Sequence, residues 1–141
     1  MANSQAVSVQ FKQDMMTAIL PGAIATLKAA LFLASATKDG TTTAYNTTGE
    51  VSGTGYTAGG VAVTAATAPA VTGTTAYWTP SASIVFTTVT LTTAFDCLQI
   101  YDTARTNKAI GTWTFGSQTI TAGTLTFTMP TNDSANALLR M

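Results

Sequence analysis

Hydrophobic and polar positions alternate over most of this chain, and the alternation has two periods. Near the start, Phe11, Met15 and Ile19 recur four residues apart, with Met16 beside them and Lys12, Gln13 and Asp14 off the stripe. That spacing places one apolar stripe on a helix over residues 7–20. Ser8 is placed to cap it, and Pro21-Gly22 to end it. The stripe suits a helix lying on a β core, or an arm (residues 1–22) reaching a neighbouring subunit.

Beyond Gly22 the period falls to two. Leu27, Ala29, Leu31 and Leu33 alternate with Lys28, Ala30 and Phe32, which predicts a strand with one strongly apolar face. Lys38-Asp39-Gly40 marks a turn. Residues 41–60 are rich in Thr and Gly, and Gly49, Gly53, Gly55, Gly59 and Gly60 indicate tight turns or bulges rather than helix. Further strands are expected over 61–66, 70–78, 83–92, 95–102, 108–115, 119–129 and 136–140. Turn signals separate them at Pro69, Gly73, Pro80, Asp102–Asn107, Gly116, Gly123 and Pro130–Asp133. The 31 threonines supply the β-branched positions that a half-buried pleated surface favours. Short strands at this spacing predict an all-β chain, a jelly-roll-like sandwich of about eight strands with one short N-terminal helix. No internal repeat or linker divides the chain, so its 141 residues are expected to form a single domain, 1–141.

Composition sharpens this picture. From Val51 to Phe95 the chain runs 45 residues without a charged side chain. Charged residues make up 9 % of the whole, against about a quarter in ordinary soluble domains. Six basic and six acidic residues cancel, which favours association over dispersion. The balance argues against a nucleic-acid binder, which needs a basic stripe. No apolar run reaches the roughly 20 residues of a membrane helix. Lys28 followed by Ala29–Ala36 looks like the tail of a secretory signal. It begins too far into the chain and is interrupted by Pro21 and Lys28, so it is expected to remain part of the fold.

Candidate chemistry is sparse. There is no His, one Cys and one Glu. Cys97 lies in a predicted strand, has no histidine to activate it and no second cysteine to pair with, so a buried, unreactive thiol is expected. Gly53-Thr54-Gly55 through Gly59-Gly60 lacks the strand-before, helix-after setting and the Lys-Ser/Thr pair of a phosphate loop. Asp39, Asp102 and Asp133 sit in turns, where Asp is ordinary, and no EF-hand spacing supports calcium. Catalytic residues, cofactors and metals are accordingly expected to be none, and the chain is not expected to be an enzyme. Asp102–Lys108 is the most charged loop and reads either as a solvated hairpin tip or as a polar latch on a partner. Tyr77, Trp78 and Trp113 either fill the core or stack on sugars, as in a lectin-like jelly roll. The residues expected to touch a partner are Phe11, Met15, Ile19, Tyr56, Arg105 and Lys108.

The order of several segments carries a resemblance. These are Phe11-Lys12, Leu27–Leu33, Tyr45, Gly49-Glu50-Val51 and Gly53–Val61, then Ile100-Tyr101-Asp102 and Gly111–Gly116. Together they resemble small virion proteins of tailed bacteriophages encoded among the head genes. Within that group the chain is similar to jelly-roll capsid cement proteins, which sit as dimers on the outside of the shell. The resemblance implies a homodimer, made in the host bacterial cytoplasm, that binds the major capsid protein on the capsid exterior of the virion. Its most specific piece is Glu50–Val61, and a tail or neck position remains an alternative. The family pattern contains no catalytic residues.

Overall fold

The structure is a computed structural model, and it describes residues 7–19 and 26–141. The chain is all-β with one short helix. Two antiparallel sheets are formed, one of four strands and one of three. The elements are α1 (Val9–Ile19), β1 (Leu27–Leu33), β2 (Val61–Ala62), β3 (Ala70–Thr72), β4 (Thr75–Trp78), β5 (Ile84–Asp102), β6 (Lys108–Phe127) and β7 (Leu139–Arg140). Contacts group the chain into two compact units, each assembled from separated stretches. One holds α1, Thr64–Ala82 and Thr128–Met141. The other holds Ala25–Val63 and Ser83–Phe127.

In the first unit the sheet order is β3-β4-β7. A two-residue turn joins β3 to β4, with Gly73 at φ +59° between Thr72 and Thr75. Trp78 is fully buried, and its indole N–H donates to the Thr67 carbonyl at 2.8 Å. The chain end closes the sheet, because Met141 and Ala76 exchange backbone hydrogen bonds of 2.9 and 3.1 Å. The first helical bond runs from Lys12 N–H to the Ser8 carbonyl, which makes Ser8 the cap position expected for it. Lys12 Nζ reaches the Thr74 carbonyl at 3.1 Å. Met16 is the buried methionine of α1, and Met15 is 41 % exposed. The side chains of Phe11 and Ile19, and the Pro21-Gly22 stop, lie outside the described residues.

In the second unit the order is β2-β1-β5-β6. Strand β1 keeps its predicted bounds, 27–33. It is an interior strand, with β5 paired along one edge and β2 and Glu50-Val51 along the other, and its apolar run is buried on both faces rather than the one expected. The run that looks like a secretory tail thus begins as an interior strand: Ala29, Ala30, Leu31 and Phe32 have no exposed surface. One face gathers Ala30, Phe32, Cys97 and Tyr101 into a small core, with Ala36 and Tyr45 packed over it. Gln99 lies on this face too. It is fully buried, and its side-chain amide has no partner among the described residues.

Among the described residues seven strands stand where about eight were expected: two expected breaks are corners rather than turns, and the expected strand 70–78 divides at Gly73 into β3 and β4. β5 spans 19 residues and β6 spans 20, each merging two predicted strands. Their pairing slips between Leu91 and Phe95 and again between Phe95 and Cys97. Those slips fall at Thr93-Ala94 and opposite Gly116, where the sequence pattern lapses. The extra residues form bulges that bend the ribbon without ending it. Thr88 (φ +50°) and Ala122 (φ +48°) mark a second bend. As a result Phe115 and Phe127, twelve residues apart, bring their rings to 5.1 Å. A straight strand would separate them by about 40 Å. The ribbon doubles back, and its two arms share a chain of rings: Phe95–Phe115 at 6.0 Å, Phe115–Phe127 at 5.1 Å and Phe86–Phe127 at 6.2 Å.

The glycine-rich stretch is pressed onto this sheet, backbone against backbone. A Cβ on Gly60 (φ +73°) would lie 1.8 Å from the Ala29 carbonyl oxygen, whereas Gly73 has open space around it. Gly60→Ala should therefore cost about 3 kcal/mol or more, through both strain and displacement of β1. Gly73→Ala should cost about 1 kcal/mol, from its left-handed φ alone. Urea unfolding followed by tryptophan fluorescence measures both, and equal losses would contradict this packing.

Candidate functional site

The densest polar constellation in the second unit is built around Glu50, the chain's one glutamate. Backbone pairing sets its position: Leu33 N–H donates to the Gly49 carbonyl at 2.9 Å, and Val51 N–H to the Leu31 carbonyl at 3.1 Å. Glu50 is thereby held opposite Phe32. Its carboxylate accepts three bonds of 2.7 Å each. Tyr45 Oη donates to Oε2, while Tyr56 Oη and the Gly59 N–H donate to Oε1.

The donors are themselves fixed. Tyr56 Oη accepts from Leu31 N–H at 3.0 Å, and its ring stacks on Phe86 at 5.9 Å, joining the aromatic chain of the ribbon. The Tyr45 ring stacks on Tyr101 with centroids 4.3 Å apart, and its edge meets Phe32 at 6.4 Å. Tyr101 Oη donates to the Gly59 carbonyl at 2.7 Å. Gly59 (φ +90°) thus offers both its N–H and its C=O to the cluster. The Tyr45 and Tyr101 hydroxyls and Lys28 Nζ all lie within 4.0 Å of where its Cβ would sit. Lys38 closes one side, with its ammonium 4.2 Å above the Phe32 ring and bonded to Asn46 Oδ1 at 3.1 Å.

Burial raises all three tyrosines above the ordinary phenol value. For Tyr45, the hydrogen bond to Glu50 and its charge add to the rise. For Tyr56, the bond from Leu31 opposes the rise and Glu50 adds to it. For Tyr101 the Glu50 charge adds. Desolvation lowers Lys38, offset in part by the charge of Glu50. Burial raises the Cys97 thiol, so it stays protonated, in keeping with the buried, unreactive cysteine expected. Every oxygen of the Glu50 carboxylate is engaged, and each tyrosine proton is held by an acceptor. The arrangement suits bracing of a loop against a sheet.

The residues expected at a partner contact fall in separate places. Met15 is exposed on α1 in the first unit. Tyr56 is half-buried inside the Glu50 network. Arg105 is exposed on the loop between β5 and β6, and Lys108 is exposed at the start of β6. That loop is anchored at its base: Asp102 is buried and accepts from Ala104 N–H at 3.0 Å, and Thr103 bonds the Thr26 carbonyl through both N–H (3.0 Å) and hydroxyl (2.8 Å). Thr106 and Asn107 turn it with φ of +55° and +56°. Trp78, considered for sugar stacking, is fully buried and presents no ring face; Trp113 is half-buried on β6. Glu50 itself is absent from the residues singled out by sequence, although its uniqueness and the tyrosines five and six residues away were visible there.

Among the described residues, no three or more His, Cys, Asp and Glu gather as metal ligands. No described helix is long and apolar enough to cross a membrane. Comparison with protein-family models, curated proteins and solved structures finds no match to this chain.

Two outcomes follow from the network. Tyr56→Phe removes a donor to Glu50 and an acceptor for Leu31, and should lower stability by about 1–3 kcal/mol. In a double-mutant cycle with Glu50→Gln, the two losses should fall short of additive, which urea midpoints measure. The raised tyrosines also set an alkaline limit. Unfolded phenols lose protons near about pH 10, while the folded groups hold theirs, so stability is fully present below about pH 10 and falls as pH rises beyond it. Phenolate absorbance across that range should show Tyr45, Tyr56 and Tyr101 titrating only with the unfolding transition. Titration of these three near about pH 10 in folded protein would contradict the network.

Proposed function

We propose that this chain is a structural virion protein of a tailed bacteriophage, bound to the outside of the capsid, where it cements neighbouring major capsid proteins. The observation that carries this reading is the neutrality of exposed strand surface. On β5 and β6 the outward positions include Thr87, Thr92, Thr114, Gln118, Thr121 and Thr126, and no charged residue occurs from Ile84 to Phe95 or from Ala109 to Phe127. An ordinary surface carries roughly 25–35 % charged residues. A neutral one can be covered by a partner with little desolvation of charge.

The resemblance of the Glu50–Val61 segment to phage structural proteins supports the virion part of this reading. In this reading the segment's role is internal: Glu50 and its tyrosines stiffen the unit that bears the neutral strands. A jelly-roll arrangement belongs to the same reading, as does the absence of catalysis. Many copies, each bound weakly, hold a shell through high effective concentration.

The test is co-sedimentation of purified protein with phage shells freed of this chain. Saturable binding at micromolar concentration is expected. Failure to co-sediment at that concentration would overturn the capsid assignment, and assembly of the pure protein into rings would move it to a tail or neck position.

A further inference from the structure

We propose that the free edge of β6, centred on Gly111–Phe115, pairs antiparallel with the same edge of a second copy of this chain. The inference rests on the homodimer that the virion reading implies, and adds the edge through which the two copies meet. β6 is the terminal strand of its sheet, and its 20 residues contain no buried side chain. Its outer edge already accepts an antiparallel segment at its start. Tyr45 N–H donates to the Asn107 carbonyl at 2.8 Å, Ala109 N–H donates to the Thr43 carbonyl at 3.1 Å, and Ala44 bridges Lys108. Beyond Ala109 no strand pairs with this edge among the described residues.

Unpaired strand edges are ordinarily protected by brevity, charge or proline. The other terminal strands, β2, β3 and β7, are two, three and two residues long. β6 is long, and from Ala109 to Phe127 it carries no charge and no proline. Bulges interrupt much of it, but Gly111–Thr114 stays in unbroken register with Ile100–Cys97. That run is the straightest part of the edge and the best template for another strand.

A second copy is the occupant that this edge fits. Antiparallel pairing about a two-fold axis sets one edge against itself, so the interface needs no second surface. A neutral edge facing itself meets no like-charge repulsion, whereas a charged partner segment would find no counter-charge. With the axis at Trp113, Thr112 opposes Thr114 of the second copy, and Gly111 opposes its Phe115. Threonine pairs and aromatic cross-strand contacts are favourable in such positions.

Sedimentation velocity from about 1 to about 100 µM tests the pairing. The parent chain should sediment as a dimer. Thr112→Lys with Thr114→Lys places lysine opposite lysine on both sides of the axis, and should raise the dimer Kd at least about tenfold. Circular dichroism and Tm report whether the variant folds. Thr114→Lys alone changes an exposed residue and should weaken the dimer in the same direction, so it decides the matter if the double variant does not fold. Hydrogen exchange of Gly111–Phe115 amides should slow as the parent concentration rises. A parent monomeric at about 100 µM, or a dimer Kd unmoved by the folded variants, would overturn the proposal. A monomer that still co-sediments with shells would remove the pairing and leave the virion reading standing; a dimer that fails to co-sediment would do the reverse.

Discussion

The second unit is organised around a carboxylate that has been enclosed by its own chain. Glu50 receives two phenol protons and one backbone N–H at 2.7 Å. Those three bonds tie residues 45, 56 and 59 to one point, and that point is fixed by pairing of Gly49 and Val51 with β1. A half-buried anion is tolerable only when its hydrogen bonds are met. Removing any donor leaves that charge short of a partner, so the loop, the small core of Phe32 and Tyr101, and the β1 edge stand or fall together. The glycines serve the same end. Without Gly60 at φ +73° the backbone could not approach Ala29 closely enough for Gly59 to reach both Glu50 and Tyr101.

With the only glutamate turned inward, little charge is left for the long strands. The β5–β6 ribbon presents threonine, serine, glutamine and glycine to its surroundings, and its phenylalanines line the inside of the bend. Such a surface is well hydrated by hydroxyls yet cheap to cover, because hydroxyls re-form hydrogen bonds with a partner more readily than ions recover their hydration. The edge of β6 follows the same rule. It lacks the lysines that usually discourage strand addition.

Much of this was legible in the sequence, and the failures have physical causes. β1 was read with its observed bounds, but with one apolar face where both are buried, and the 70–78 stretch, read as one strand with a turn signal at Gly73, divides there into β3 and β4. The corners at Thr93-Ala94 and Gly116 were visible as lapses of period, but a lapse marks a turn and a bulge alike; hydrogen bonding across the lapse decides between them, and that depends on the partner strand. The helix stripe named Met15, yet packing buries Met16, since a three-turn helix lets one position of rotation pass unseen by spacing alone. Glu50 escaped notice as a site because its partners are brought to it by loop closure. The spacing of Tyr45 and Tyr56 carries no helical or strand period that would reveal it.

Under the proposed function, neutral strand surface is what meets the neighbours, and salt separates that from its opposite. Charged contacts weaken steeply as ionic strength rises, because ions screen them, and neutral contacts do not. The direct measurement is the affinity of this protein for phage shells at about 50 mM and about 500 mM sodium chloride. The account predicts affinities within about threefold of one another. A loss of about a hundredfold at the higher salt would mean that Arg105, Lys108 and their like carry the contact, and would contradict it.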